Sequence, residues 1–402
     1  MSITAREFLG AAVVPKEAID RFLDGDADNW AYFDPELGYL LKDYVVRDGV
    51  DDCYTINQYV PRGQRRMVNY AERPCRINTF GDSFTQCHQV SDGETWQEYL
   101  AAHLGEPVRN FGIGGYGVFQ AFRRMLREEQ TGAAAEYVVL NMWSDDHLRS
   151  IYPCRWIQLP WFHEVIRSGR EPFMFHANPW CHLRFNPDTG RFEEHESICP
   201  TPESLYRLSD ADWVYETFKD SFDVQAYLAS QGSSDADTAM LQRYADALDV
   251  HVDFSSADAT AAAGKELLTT CSLRSSMYVA ERARDFCQAN GKKLMIHLSY
   301  DDVTVQRACR GEARFDRMLV DYLNENGFLF VDALRKHAED FEQFKCTPEQ
   351  YTRRYYIGHY KPAGNHFYAF AVKDAIAEWL DPKPPAYVAG GVSMKDWAAT
   401  LA

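Results

Sequence analysis

Short apolar runs alternate with stretches that carry an apolar residue every third or fourth position in two parts of this chain, residues 76–147 and 292–380. In the first part "RINTF" predicts a strand, "TWQEYLAAHL" a helix, "VRNFG" a strand, "VFQAFRRMLREEQ" a helix and "EYVVLNMW" a strongly apolar strand. In the second, "KKLMIHLSY" predicts a strand, "ARFDRMLVDYLNENG" a helix, "FLFVDAL" a strand and "NHFYAFAVKDAIAEWL" a closing helix. Helical spacing also fills "TAMLQRYADALDV" and "AGKELLTTCSLRSSMYVAERARDFCQANG", the latter stopped by Gly291. This alternation predicts an α/β fold: a mainly parallel sheet covered by helices on both faces, in three layers.

The rest of the pattern divides the chain. Residues 1–70 hold one short helical stretch and then aromatic-rich turns and short strands, "NWAYFDPELGYLLKDYVV" and "YTINQYVPRGQRRMVNY", which predict an N-terminal extension packed on the core. The core runs through residues 71–147 and resumes at 236–380. Between them, residues 148–235 show no period, several prolines, the turn sequence "FNPDTG" and four tryptophans (Trp156, Trp161, Trp180, Trp213), which predicts an irregular insertion that walls a site. Residues 381–402, opening with "PKPP", predict an extended C-terminal arm.

Composition narrows the partners. At 402 residues and 46% apolar content the chain exceeds the usual single core, and one domain with large additions fits the pattern better than two domains. With 59 acidic against 42 basic residues the net charge is −17, which argues against a surface that follows nucleic-acid phosphates. The first residues lack a basic segment followed by an apolar run, and no stretch approaches bilayer length, so a soluble cytoplasmic protein with no membrane partner is expected. Ten cysteines without a C-x-x-C pair predict buried thiols, with no zinc or redox centre.

Candidate chemistry gathers where the strands end. In an open parallel sheet the ligand crevice lies beyond the C-terminal strand ends. Ser83, in "RINTFGDSFTQC", falls there after a Gly-Asp pair, and its amide can face an oxyanion. Asp82 or Ser83 equally suits a helix cap. The next strand runs into "NFGIGGYG", residues 110–117, a turn whose amides can approach a substrate oxygen, although it lacks the G-x-G-x-x-G order of a dinucleotide site. The third strand ends in "SDD", and His359 precedes the closing helix, placed to reach a serine as general base.

The ordered blocks "GDSFT", "NFGIGGYG", "VVLNMWSDD" and "GHYKPAGNHFYAFA" resemble the SGNH (GDSL-type) hydrolase superfamily, and within it the branch similar to alginate O-acetyltransferase-like proteins. The resemblance covers residues 76–147 and 292–380 and implies an SGNH/flavodoxin-like sheet. It implies Ser83 as nucleophile and oxyanion donor, Gly115 as a second donor with Gly114 as the fallback, and His359 as base. His366, one helical turn later, is a less favoured base. Two positions depart from the family. Asp145 stands where an asparagine usually donates to the oxyanion, and an ionised carboxylate only accepts, so Asn141 is a substitute to consider. Tyr356 and Ile357 stand where an aspartate usually precedes the histidine, which leaves Asp332, at the end of "FLFVDAL", as the carboxylate expected to orient His359.

These residues imply an esterase that cleaves a small O-acyl ester through an acyl-enzyme on Ser83, with no cofactor and no bound metal. The substrate expected is a small-molecule acyl ester or an acylated sugar. Two rivals remain: transfer of the acyl group to an alcohol by the same site, and a non-catalytic ligand-binding module on a degenerate SGNH fold. Asp82, Gly114, Asn141, Asp145 and Asp146 are expected to line the substrate site. Asp145 and Asp146, with His147, also suit a cation or a cationic substrate group, and the insertion's tryptophans suit a stacking surface.

Overall fold

The computed structural model describes residues 3–25, 29–160, 163 and 177–388. It is a mixed α/β structure built on a seven-stranded, mainly parallel sheet. From one edge the strands run Phe330–Asp332, Lys293–Ser299, Tyr137–Trp143, Ile77–Phe80, Arg109–Asn110, Gln64–Arg65 and Tyr59–Val60. The first five are parallel, Gln64–Arg65 runs against them, and Tyr59–Val60 pairs antiparallel with Gln64–Arg65. Tyr137–Trp143 and Lys293–Ser299 lie inside the sheet with most side chains buried, which is why they read as mainly apolar runs, interrupted at Asn141 and His297. Because five strands share one direction, Phe80, Asn110, Trp143, Ser299 and Asp332 end on the same edge, and the segments that follow them meet there.

The N-terminal extension contributes to the sheet. Its two antiparallel strands join beside Arg109–Asn110, with Arg65 opposite Asn110. The Arg65 side chain is buried, pairs with Asp92 (3.0 Å) and donates to the carbonyls of Gln86, Cys87 and Val90. It thereby clamps the segment just after Ser83.

The insertion is more regular than its sequence suggests. Its described part contains the hairpin His182–Asn186/Arg191–His195, turned at "FNPDTG", and helices Ala211–Phe218 and Phe222–Ser230. Trp156 and Trp180 are buried, and their indole N–H groups donate to the carbonyls of Ala12 and Tyr152. They are core anchors rather than a stacking surface, and Trp213 packs edge-on against Phe218. Trp161 lies outside the described residues, as do residues 389–402 of the C-terminal arm. The arm's first part folds back, with the turn Pro385–Tyr387 set against helix Trp96–Leu104. All ten cysteines are free thiols, and Cys87, Cys154, Cys181, Cys199, Cys271 and Cys287 are buried. Among the described residues no helix is long and apolar enough to cross a membrane.

Candidate active site

Both readings of "GDS" hold at once. Asp82 caps the short helix Ser83–Gln86, its Oδ1 accepting from the amides of Phe84 (3.0 Å) and Thr85 (3.4 Å). Ser83 is the first helical residue, so its own amide has no intrahelical acceptor and its hydroxyl is not spent on capping. The Ser83 Oγ lies 2.8 Å from His359 Nε2 and 3.3 Å from Asp82 Oδ2. These residues are 276 positions apart, and the sheet edge brings them together.

His359 sits in a tight loop ahead of helix Pro362–Trp379. Tyr356 and Tyr360 pair across the loop, and the Ile357 amide donates to the His359 carbonyl (2.9 Å). Beneath it, buried His337 contacts the hydroxyls of Tyr360 (2.7 Å), Tyr351 (3.0 Å) and Tyr356 (3.1 Å), and burial pushes its imidazole down to about 3. A neutral ring surrounded by tyrosine hydroxyls thus holds the loop in place.

The other nitrogen of His359 faces an amide. Nδ1 lies 3.1 Å from Gln89 Oε1, and the His359 backbone N–H donates to the same oxygen at 2.9 Å. Gly358 adopts φ +109°, and a Cβ there would stand 3.0 Å from Gln89 Oε1, so the approach depends on glycine. Burial lowers the pKa of His359 well below the ordinary imidazole value, with His88, Arg149 and Arg155 adding to the effect. The ring is neutral at pH 7, as a base must be to take a proton.

Asp332 is not the orienting carboxylate. Its strand stops at residue 332, where Asp332 caps helix Ala333–Phe341 through the Leu334 amide (3.1 Å) and pairs with Arg314 (2.6 Å). Two strands separate it from Ile77–Phe80. His366 is exposed on its helix, its ring set against Tyr99 (5.3 Å) and His103 (6.1 Å).

In the glycine-rich turn the Gly114 amide is engaged and the Gly115 amide is not. Gly114 stands beside Ser83, where an added Cβ would lie 3.5 Å from the serine Cβ, but its N–H donates to Gln86 Oε1 at 2.7 Å. Gln86 is itself fixed by donating Nε2 to the hydroxyls of Tyr44 and Tyr59 (2.9 Å each). Buried Gly115, with φ +89°, has no hydrogen-bond partner for its N–H among the described residues. A buried donor left unpaired costs about 1–3 kcal/mol.

The acidic and amide candidates serve other purposes. Asn141 is buried under the turn, its Nδ2 3.4 Å from Asp82 Oδ1 and its Oδ1 accepting from the Tyr368 hydroxyl (3.4 Å), so it braces Asp82. Asp145 and Asp146 both pair with buried Arg149, Asp146 at 2.7 Å. The cation they suit is therefore an internal guanidinium, which also donates to the Tyr116 carbonyl and lies over the Trp143 ring. His147 turns away to Ser276 Oγ (2.7 Å), and burial pushes it down to about 4. Among the described residues no group of three or more His, Cys, Asp or Glu side chains is placed to hold a metal.

Sequence reasoning missed Gln86, Gln89 and His337. The only signal for the first two was a pair of amides three positions apart just after the candidate nucleophile. No protein-family model matches the sequence, and a search of curated proteins gives no match.

Proposed function

We propose that the chain is a serine esterase of SGNH type, with that superfamily's three-layer arrangement of sheet and helices, and that it cleaves an O-acyl ester through an acyl-enzyme on Ser83. The observation that carries this reading is the 2.8 Å contact between Ser83 Oγ and His359 Nε2. A hydroxyl in contact with a neutral imidazole at the C-terminal edge of a parallel sheet is the arrangement that nucleophilic acyl transfer requires.

In the first step Ser83 Oγ attacks the ester carbonyl carbon as its proton passes to His359 Nε2. The carbonyl oxygen becomes an oxyanion, for which the unpaired amides of Ser83 and Gly115 are the donors. Each such donor is worth about 10²–10³ in rate. The C–O bond then breaks, and the leaving alkoxide takes the proton from Nε2. Water attacks the acyl-enzyme by the same route in reverse, releasing the acid and returning the proton to Ser83. An alcohol in place of that water turns hydrolysis into acyl transfer without further machinery.

A fluorophosphonate probe tests the nucleophile. Labelling at Ser83 that Ser83→Ala and His359→Gln abolish, with hydrolysis of p-nitrophenyl acetate lost in parallel, is the expected result. Retained hydrolysis in Ser83→Ala refutes the reading. Free acid measured with and without an added alcohol separates hydrolysis from transfer.

A further inference from the structure

The contact behind His359 sets the character of the base. Gln89 Oε1 accepts the His359 backbone N–H, and Gln89 Nε2 donates to the Asp48 carbonyl (3.0 Å). These two contacts fix the direction of the amide. Turned over, it would set NH₂ against a backbone N–H and oxygen against a carbonyl, losing both bonds. Nδ1 therefore faces an acceptor, must carry the ring proton, and leaves Nε2 with its lone pair toward Ser83.

The backbone keeps the amide there. Cys87 and Gln89 adopt left-handed conformations, φ 62° and 70°, on either side of His88, and both lie within the segment clamped by Arg65. A non-glycine residue in that region is disfavoured, and strain of this kind persists where surrounding contacts over-determine it.

We propose that Gln89 is the positioning residue of this site: its amide oxygen holds His359 in the Nδ1–H tautomer, with no negative charge behind the ring. This rests on reading Ser83 and His359 as nucleophile and base. The charged and titratable groups around the ring make the absence of charge matter. His88 stands 4.9 Å away edge-on, backed by Asp48 at 3.3 Å, while Arg149 and Arg155 add positive charge and Asp82 faces Ser83 from the other side. The imidazolium formed during catalysis thus has no carboxylate partner, and the base stays unprotonated to a lower pH than a carboxylate-backed histidine would. A glutamate at 89 would set its second oxygen against the Asp48 carbonyl, which accounts for the amide.

Gln89→Glu and Gln89→Met, the latter close in shape but unable to accept from Nδ1, test the assignment by two readouts. Histidine ¹⁵N NMR, with His359 assigned by the signal lost in His359→Gln, reads tautomer and titration without any turnover. The wild type should show the Nδ1–H form, and Gln89→Glu should raise the His359 pKa by about 1–3 units, the effect of an adjacent opposite charge. The acid limb of kcat/KM for p-nitrophenyl acetate should move upward by the same amount. Gln89→Met should lose the single tautomer and about tenfold or more in kcat, with KM little changed. An Nε2–H tautomer in the wild type, or a His359 titration that Gln89→Glu leaves in place, overturns the proposal. Failure of the esterase reading looks different: no fluorophosphonate labelling while the NMR behaviour is as stated.

Discussion

Asp82→Asn separates what the turn beside Ser83 gives to stability from what it gives to chemistry. Asp82 is fully buried, and burial pushes its carboxyl up from 3.8 to about 6 against the pull of Arg149 and the Phe84 and Thr85 amides. A folded-state value above the unfolded one means that folding takes up a proton between them. The stability linked to the protonated form is fully present below about pH 4 and lost as the pH rises through about 6. A shift of about 2 units corresponds to roughly 3 kcal/mol. Asparagine fixes the uncharged form and keeps Oδ1 as the cap, a role in which the two residues are equivalent. The variant should therefore be the more stable one at pH 8 by up to about 3 kcal/mol, or about 3–4 °C in Tm for a chain of this length. At pH 4.5 the advantage should fall to about 1 kcal/mol. Relief of Asp146, whose pKa the Asp82 charge helps to raise, acts in the same direction. Thermal unfolding of both proteins at the two pH values reads the difference. A variant less stable than wild type at pH 8, yet equal to it at pH 4.5, would show that the ionised carboxylate is favoured where it sits and would refute the reasoning. Turnover should survive the substitution. The hydroxyl of Ser83 would no longer have a carboxylate oxygen competing with His359 Nε2 for its proton.

Gly112→Ala should damage the site through the backbone. Its Cβ would fall 2.1 Å from the Gln86 nitrogen and 2.4 Å from the Thr85 carbonyl carbon, so the turn carrying Ser83 must move; a misplacement of about 1 Å costs about a hundredfold in rate. Gly93→Ala, which meets nothing within 4 Å, is the matched control and should leave kcat unchanged. Asp332→Asn should lower Tm by weakening the Arg314 pair, the asparagine Oδ1 keeping the helix cap, and leave the pH profile of activity where it was. His366→Ala should leave kcat/KM unaltered, because its ring lies with Tyr99 and His103 on the helix surface.

Buried strands were the most legible part of the fold. "EYVVLNMW" and "KKLMIHLSY" match Tyr137–Trp143 and Lys293–Ser299 closely, since burial on both faces demands an apolar run. "FLFVDAL" overran because its apolar pattern continues across Asp332 into a helix, and only the cap marks the boundary. Helices Asp302–Cys309 and Ala333–Phe341 went unread, as did Ala211–Phe218 and Phe222–Ser230; all are eight or nine residues long, too short for a period to show. The long helix began six residues before its expected start, at Ala257, with Ser256 as its cap. At the site, the contact between Ser83 and His359 was legible because the proposed roles of nucleophile and base need particular side chains. Asp332 was misassigned because the role of orienting the ring needs only an acceptor in the right place, and many residue types supply one.

The extension belongs to the site for the same physical reason. The acceptor behind His359 depends on residues from a region that carries none of the matching blocks. Asp48 receives the Gln89 amide, Tyr44 and Tyr59 hold Gln86, and Arg65 binds the carbonyls of the turn between them. Gln86 in turn occupies the Gly114 amide, which leaves Gly115 as the turn's unpaired donor. Each link is an ordinary hydrogen bond worth about 1 kcal/mol, yet together they decide which nitrogen of His359 is free and which amide can meet an oxyanion. A truncation that removes residues 1–70 takes away the groups that hold Gln86, Gln89 and the sheet edge, so under the proposed mechanism it should abolish hydrolysis of p-nitrophenyl acetate as well as lower Tm.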